Sequence, residues 1–218
     1  MVVITNWKTT AGDILMIFFV MVFPHIGLLP MFLYPFAVLG ILWIYLKRQR
    51  QNFDSVGFRF RDLSLRSFVY GGMAGLVYAA VAFWLLAPLI ALLGFAPANL
   101  HDFAFLRHQT KNYLYVLALA CILVIPYEEI IFRGFIFSKI VQWFKWTSRP
   151  YLYSAIITSI LFALYHYQEG GGAVLQIFIF ALVQMVLFKA AKRNLWYMIF
   201  FHIVYDIFML TAIWRGYL

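Results

Sequence analysis

The chain has 218 residues, of which 65% are hydrophobic and only 11% charged, against roughly a quarter charged in a soluble domain. So few charges cannot cover a soluble surface, which excludes a cytosolic globular enzyme, a disordered segment and a nucleic-acid-binding domain. The formal charge of +9 reads as basic loops at a membrane surface, because the Lys and Arg residues lie between long apolar runs. A single cysteine, Cys121, permits no internal disulfide. The fold class expected is an all-α polytopic membrane protein.

A bilayer core about 30 Å thick needs ~20 apolar residues per helix. The first run, Ile14 to Leu46, contains no Asp, Glu, Lys or Arg, but Pro24, Gly27, Pro30 and Pro35 interrupt it. It reads as a helical hairpin over 12–27 and 30–46. Further spans are expected at 67–94, 112–137, 151–167, 173–190 and 195–214, giving seven helices, or six if the first run is one tilted helix. No small-residue cleavage site follows the first apolar run, so the N-terminus is expected to remain attached. No internal repeat or second domain is visible. Residues 1–110 read as N-terminal helices with a basic loop, and 111–218 as the half that carries chemistry.

Basic residues set orientation. Lys47, Arg48, Arg50, Arg59, Arg61 and Arg66 crowd one loop, Lys139, Lys145 and Arg149 the next on that side, and Lys189, Lys192 and Arg193 a third. Only Arg107, Lys111 and Arg215 lie opposite. Loops 47–66, 138–150 and 189–194 are therefore expected in the cytoplasm, with 95–111 and 168–172 outside. The stretch 55–66 mixes Phe and Leu with Arg and is expected to lie along the inner surface.

Ionisable groups inside spans cost ~2.5–3.5 kcal/mol each on insertion scales and need a reason. Those counted are Glu128, Glu129, Arg133, His166, His202 and Asp206. Glu129 and Arg133 share a helix face at i, i+4 and can pair as a purely structural device. Glu128 is rotated about 100° away and needs another partner or a job. His166 shares a face with Phe162, and His202 with Asp206; either His alone could be an ordinary interhelical hydrogen bonder. Together the set is costly unless its members meet around a polar cavity. Counting 1.5 Å per residue from the cytoplasmic ends puts Glu128 ~16 Å deep, His202 ~12 Å and Asp206 ~18 Å, but His166 ~24 Å.

Three motifs carry a resemblance: Glu128-Glu129-Ile-Ile-Phe-Arg133, Phe162-Ala-Leu-Tyr-His166 and His202-Ile-Val-Tyr-Asp206. In this order, each on its own apolar helix, they resemble the signature of the type II CAAX prenyl protease and bacteriocin-processing family, also called CPBP or ABI proteins. The resemblance covers about 110–215 and implies a metal-free, glutamic-type intramembrane endopeptidase without a cofactor, acting on a membrane-associated protein or peptide in a bacterial or archaeal plasma membrane. It implies Glu128 as general base, His166 as a partner of the attacking water, and His202 with Asp206 facing the oxyanion. Glu129, Arg133 and Phe162 would support the site.

Residue 206 is typically Asn in the prenyl-protease members. An ionised Asp206 cannot donate a hydrogen bond, so it is expected to orient a neutral His202, nearer the bacterial branch of the family. Glu, His, His and Asp could also ligate zinc, though the spacings match no HExxH pattern. His101, Asp102 and His108 read as a solvated loop, Cys121 as core packing, and Gly170–Gly172 as a tight outer connection. Two further readings stay open at this point: a catalytically silent relative that binds a membrane partner in immunity or regulation, and a proton-coupled transporter using Glu128 and the histidines as a relay.

Overall fold

The computed structural model describes residues 7–218; the expectation about the N-terminus lies outside them. Among these residues seven helices form the body. They are α1 Trp7–Val22, continued by a 3₁₀ turn Phe23–Ile26, α2 Tyr34–Arg48, α3 Leu65–Leu92, α4 Thr110–Trp143, α5 Pro150–Tyr165, α6 Gly171–Ala190 and α7 Leu195–Arg215. The protein is an all-α polytopic membrane protein. Five stretches have the length and apolarity to cross a bilayer: Thr9–Ile26, α3, α4, α6 and α7. The other two helices, α2 and α5, have 15 and 16 residues, ~23 Å at 1.5 Å each, short of a full hydrocarbon core.

The hairpin forms where the prolines and Gly27 interrupt the first run. Gly27 takes φ +69° at the end of the 3₁₀ turn, a left-handed conformation that glycine adopts without penalty. Proline also shapes two later helices. Pro88 and Pro126 offer no N–H to the preceding turn, and each is preceded by a wide π-turn, Ala82–Leu86 in α3 and Ala120–Val124 in α4. The extra residue in such a turn absorbs the missing bond without ending the helix. A third wide turn, Ile130–Ile136, lies just after the two glutamates.

One expectation is corrected here. The loop placed at 138–150 is helical as far as Trp143, because Lys139 is not a loop charge. It is 2% exposed, and its Nζ lies 2.9 Å from Asp13 Oδ1 and 2.5 Å from Gln49 Oε1. Asp13, overlooked at the edge of the first apolar run, also accepts from Tyr45 Oη at 2.7 Å and Gln49 Nε2 at 3.2 Å. This buried polar knot ties α1 and α2 to the end of α4. The 55–66 stretch lies at the same end of the molecule. It folds as two short 3₁₀ turns, Phe53–Val56 and Phe60–Asp62, with Phe58 and Phe60 against Trp196.

The loops collect at two opposite ends, as the charge pattern anticipates. At one end Arg193 donates to Ser138 Oγ, Asn194 to the Asp62 carbonyl and Trp196 to the Arg59 carbonyl. At the other, the Asn99 N–H donates to the Glu169 carbonyl and that of His108 to the Trp214 carbonyl, while Arg107 reaches the Leu218 carbonyl.

α7 packs most extensively on α3, through Gly71 and Gly75. A Cβ at Gly71 would lie 2.5 Å from the Tyr197 carbonyl oxygen, and one at Gly75 would overlap the Phe201 carbonyl. This is close backbone approach through small residues four apart, a common interface between helices in membranes. It fixes α7 immediately before His202.

Candidate active site

Helix lengths bring the ionisable residues to one level. α4 runs to Trp143, so Glu128 is fifteen residues from its C-terminal end, ~22 Å by helical rise. His166 caps α5, sixteen residues from Pro150, ~24 Å. α7 starts well inside the bundle, where Leu195 packs beside Gly134. From there the climb is six residues to Glu128 and seven to His202. The mismatch in depth read from the sequence arose in part from the misplaced end of α4.

The centre is Glu128. Its Oε1 lies 3.9 Å from His166 Nε2 and its Oε2 3.9 Å from His202 Nε2. These are longer than hydrogen bonds, so the carboxyl faces both rings across a gap. Each ring is fixed from its far side. His166 Nδ1 is 3.0 Å from the Phe162 carbonyl, which can only accept, so Nδ1 carries the hydrogen and a neutral His166 turns the Nε2 lone pair toward Glu128. His202 Nδ1 is 2.8 Å from Glu129 Oε1, an acceptor that holds the ring in the same sense.

Glu129, 0% exposed, is thus more than the partner of Arg133 that the sequence suggested. Its Oε1 accepts from His202 and, at 3.1 Å, from Gln184 Nε2, and lies 3.5 Å from an Arg133 guanidinium nitrogen. Arg133 donates to Gln184 Oε1 and stacks over the Phe162 ring, 4.0 Å from its centroid. Phe162 also meets His166 edge-on at 4.9 Å. A second correction concerns Asp206. Its Oδ1 is 3.6 Å from His202 Nε2, on the edge that faces Glu128 and beyond hydrogen-bond length. Glu129, not Asp206, orients the ring. With Nδ1–H committed to Glu129, a neutral His202 presents a lone pair at Nε2, so the neutral donor expected from the sequence does not fit the geometry. The imidazolium would donate there.

Every site residue read from the sequence falls in this cluster or against it. Gln184 on α6 was missed: it is a neutral amide in an apolar helix, and Gln176 in the same helix looks no different in the sequence. Three tyrosines were also missed. Tyr34, Tyr127 and Tyr165 adjoin Glu128, with Tyr165 Oη donating to Tyr34 Oη at 3.4 Å. Cys121 is a half-buried free thiol on α4, while His101 and Asp102 are exposed and 3.8 Å apart. Among the described residues, no three His, Cys, Asp or Glu side chains are arranged to hold a metal ion.

An apolar helical bundle enclosing a glutamate between two histidines defines a polytopic membrane protein with a buried polar site. Residues 110–208 match the family model described as type II CAAX prenyl endopeptidase Rce1-like. That stretch, a little under half of the chain, contains all three motifs and is similar to the CAAX-protease family. No curated protein and no solved structure matches the chain.

Proposed function

We propose that this chain is an intramembrane endopeptidase of glutamic type, which hydrolyses a peptide bond in a membrane-associated protein or peptide. The observation that carries the reading is the Glu128 carboxyl facing both histidine Nε2 atoms at 3.9 Å. A water oxygen in that gap would lie within hydrogen-bond reach of Glu128 and the His166 lone pair, as a general base requires. Glu128 takes the water proton as the oxygen attacks the scissile carbonyl carbon. The oxyanion of the tetrahedral intermediate is met by the Nε2–H of a protonated His202, whose charge Glu129 balances from the other edge. Donors aimed at a developing oxyanion in a water-poor site are worth most there. The proton held by Glu128 then passes to the leaving nitrogen, the C–N bond breaks, and Glu128 is restored.

Arg133 and Gln184 keep Glu129 in place. This division assigns 111–218 the chemistry and 7–110 the surrounding wall. The clustering of Lys and Arg at one end supports a cytoplasmic position for that end. No metal or cofactor enters the proposal. The experiment uses purified protein in liposomes with a membrane-anchored peptide library, reading new termini by mass spectrometry. Cleavage by the native chain, lost in Glu128→Gln and His202→Ala variants of unchanged melting temperature, is expected. A native chain that cleaves nothing but still captures a library member would favour the silent binding partner instead.

A further inference from the structure

The site is sealed on one side and open on the other. Toward the 166–170 turn, the side chains of His166 and Asp206 keep 18% and 28% of their surface exposed. The residues beyond them are more exposed still: Tyr167 is 64% exposed, and Gln168 and His25 are exposed. His25, in the hairpin turn, meets Tyr165 edge-on at 4.8 Å and lies beside Tyr167. Glu169 in the same turn is close enough to Asp206 for that carboxylate, after burial, to raise its own proton affinity. Exposure of polar side chains therefore rises from the site toward this turn.

The opposite direction is closed. Glu129, Arg133 and Gln184 are at most 1% exposed, and below them Phe132, Phe135, Ile136 and Ile140 are at most 2% exposed. Beneath that layer sits the Asp13–Lys139 pair. Glu128 and Lys139 are eleven residues apart on α4, ~16 Å of packed interior.

We infer that substrate enters from the face of the 166–170 turn, opposite the basic loops, and that the scissile segment is therefore presented from outside the cytoplasm. The inference rests on the endopeptidase reading for its substrate and on the distribution of basic loops for its direction. The substrate class it names is an exported polypeptide, or the outward-facing juxtamembrane segment of a membrane-anchored one. A tail presented from the cytoplasm would have to pass the aromatic layer and the buried ion pair, where each charged group costs ~2.5–3.5 kcal/mol even on the mildest scale.

The test is side-specific thiol labelling with a membrane-impermeant cationic methanethiosulfonate. It uses a Cys121→Ala background carrying Asp206→Cys in the site, Gln168→Cys at the turn, or Ser148→Cys in the basic-loop end. The mass shift of the purified protein reads the extent of reaction. In whole cells Asp206→Cys and Gln168→Cys should react at least tenfold faster than in inverted vesicles, and Ser148→Cys should show the reverse. His166→Cys reports the same wall if Asp206→Cys does not fold. Reaction of the site cysteine from the side that labels Ser148→Cys, or from neither side, overturns the inference. Loss of the endopeptidase reading shows separately, as equal cleavage by native and Glu128→Gln chains.

Discussion

Glu129 has three polar partners and no exposure, so replacing it separates the stability of the site from its chemistry. Glu129→Gln keeps an acceptor for His202 Nδ1 but removes the charge opposite Arg133, itself 1% exposed. Removing one partner of a buried pair costs ~3–5 kcal/mol, chiefly because the other charge is left uncompensated. For a chain of this length, that corresponds to a melting temperature lower by roughly 6–20 °C. Replacing both members, Glu129→Gln with Arg133→Met, removes the stranded charge, and apolar replacement of a buried pair is often near neutral. The double variant should recover most of the loss. Its activity should stay at least a hundredfold down, because a protonated His202 has lost the carboxylate that balances it. The seven tryptophans allow melting to be followed by fluorescence in detergent, alongside cleavage rates. An unchanged melting temperature for Glu129→Gln, or a double variant that recovers activity as well as stability, would refute this reasoning.

Four other outcomes follow. Asp206→Asn should keep activity within about tenfold, a barrier change below ~1.4 kcal/mol, since Asp206 makes no hydrogen bond to His202; a dead, folded variant would make its charge essential. Gly75→Val should lower stability and shift α7 away from α3, because its Cβ would meet the Phe201 backbone, and native-like melting would count against that contact. Burial, then Asp206 and Asp102, raise the Glu169 carboxyl from 4.5 to about 7. The folded chain thus binds that proton more tightly than the unfolded one, so its contribution is complete below about pH 4.5 and fades as pH rises through about 7; Glu169→Gln should flatten the fall in melting temperature over that window, and an unaltered slope would contradict this. Chelator treatment should leave cleavage by the native chain unchanged, and inhibition reversed by added zinc would move the chemistry to a metal.

The helices and the charged half of the site were legible because a charge in an apolar run stands out against the cost of putting it there. Glu128, His166, His202 and Asp206 were all visible in this way, on three different helices. What could not be read was whatever carried no such contrast. Gln184 is neutral, and Gly71 and Gly75 matter through a backbone approach that only the partner helix reveals. Asp13 sat at the border of its apolar run, and its partner Lys139 had been assigned to a loop, so neither signalled a buried pair. The roles of Glu129 and Asp206 were exchanged for a related reason. Spacing at i, i+4 linked His202 to Asp206 within one helix, whereas the shorter contact, from α7 to α4, depends on how the helices meet.

The central claim is that Glu128 activates water for peptide hydrolysis. The most direct measurement is the cleavage rate of Glu128→Gln against the native chain in liposomes, on one substrate and with melting temperatures matched. The account predicts a loss of at least a hundredfold, ~2.7 kcal/mol or more in barrier height, since the amide fills the same space but cannot take the proton. Cleavage within tenfold of the native rate by a folded Glu128→Gln chain would contradict it.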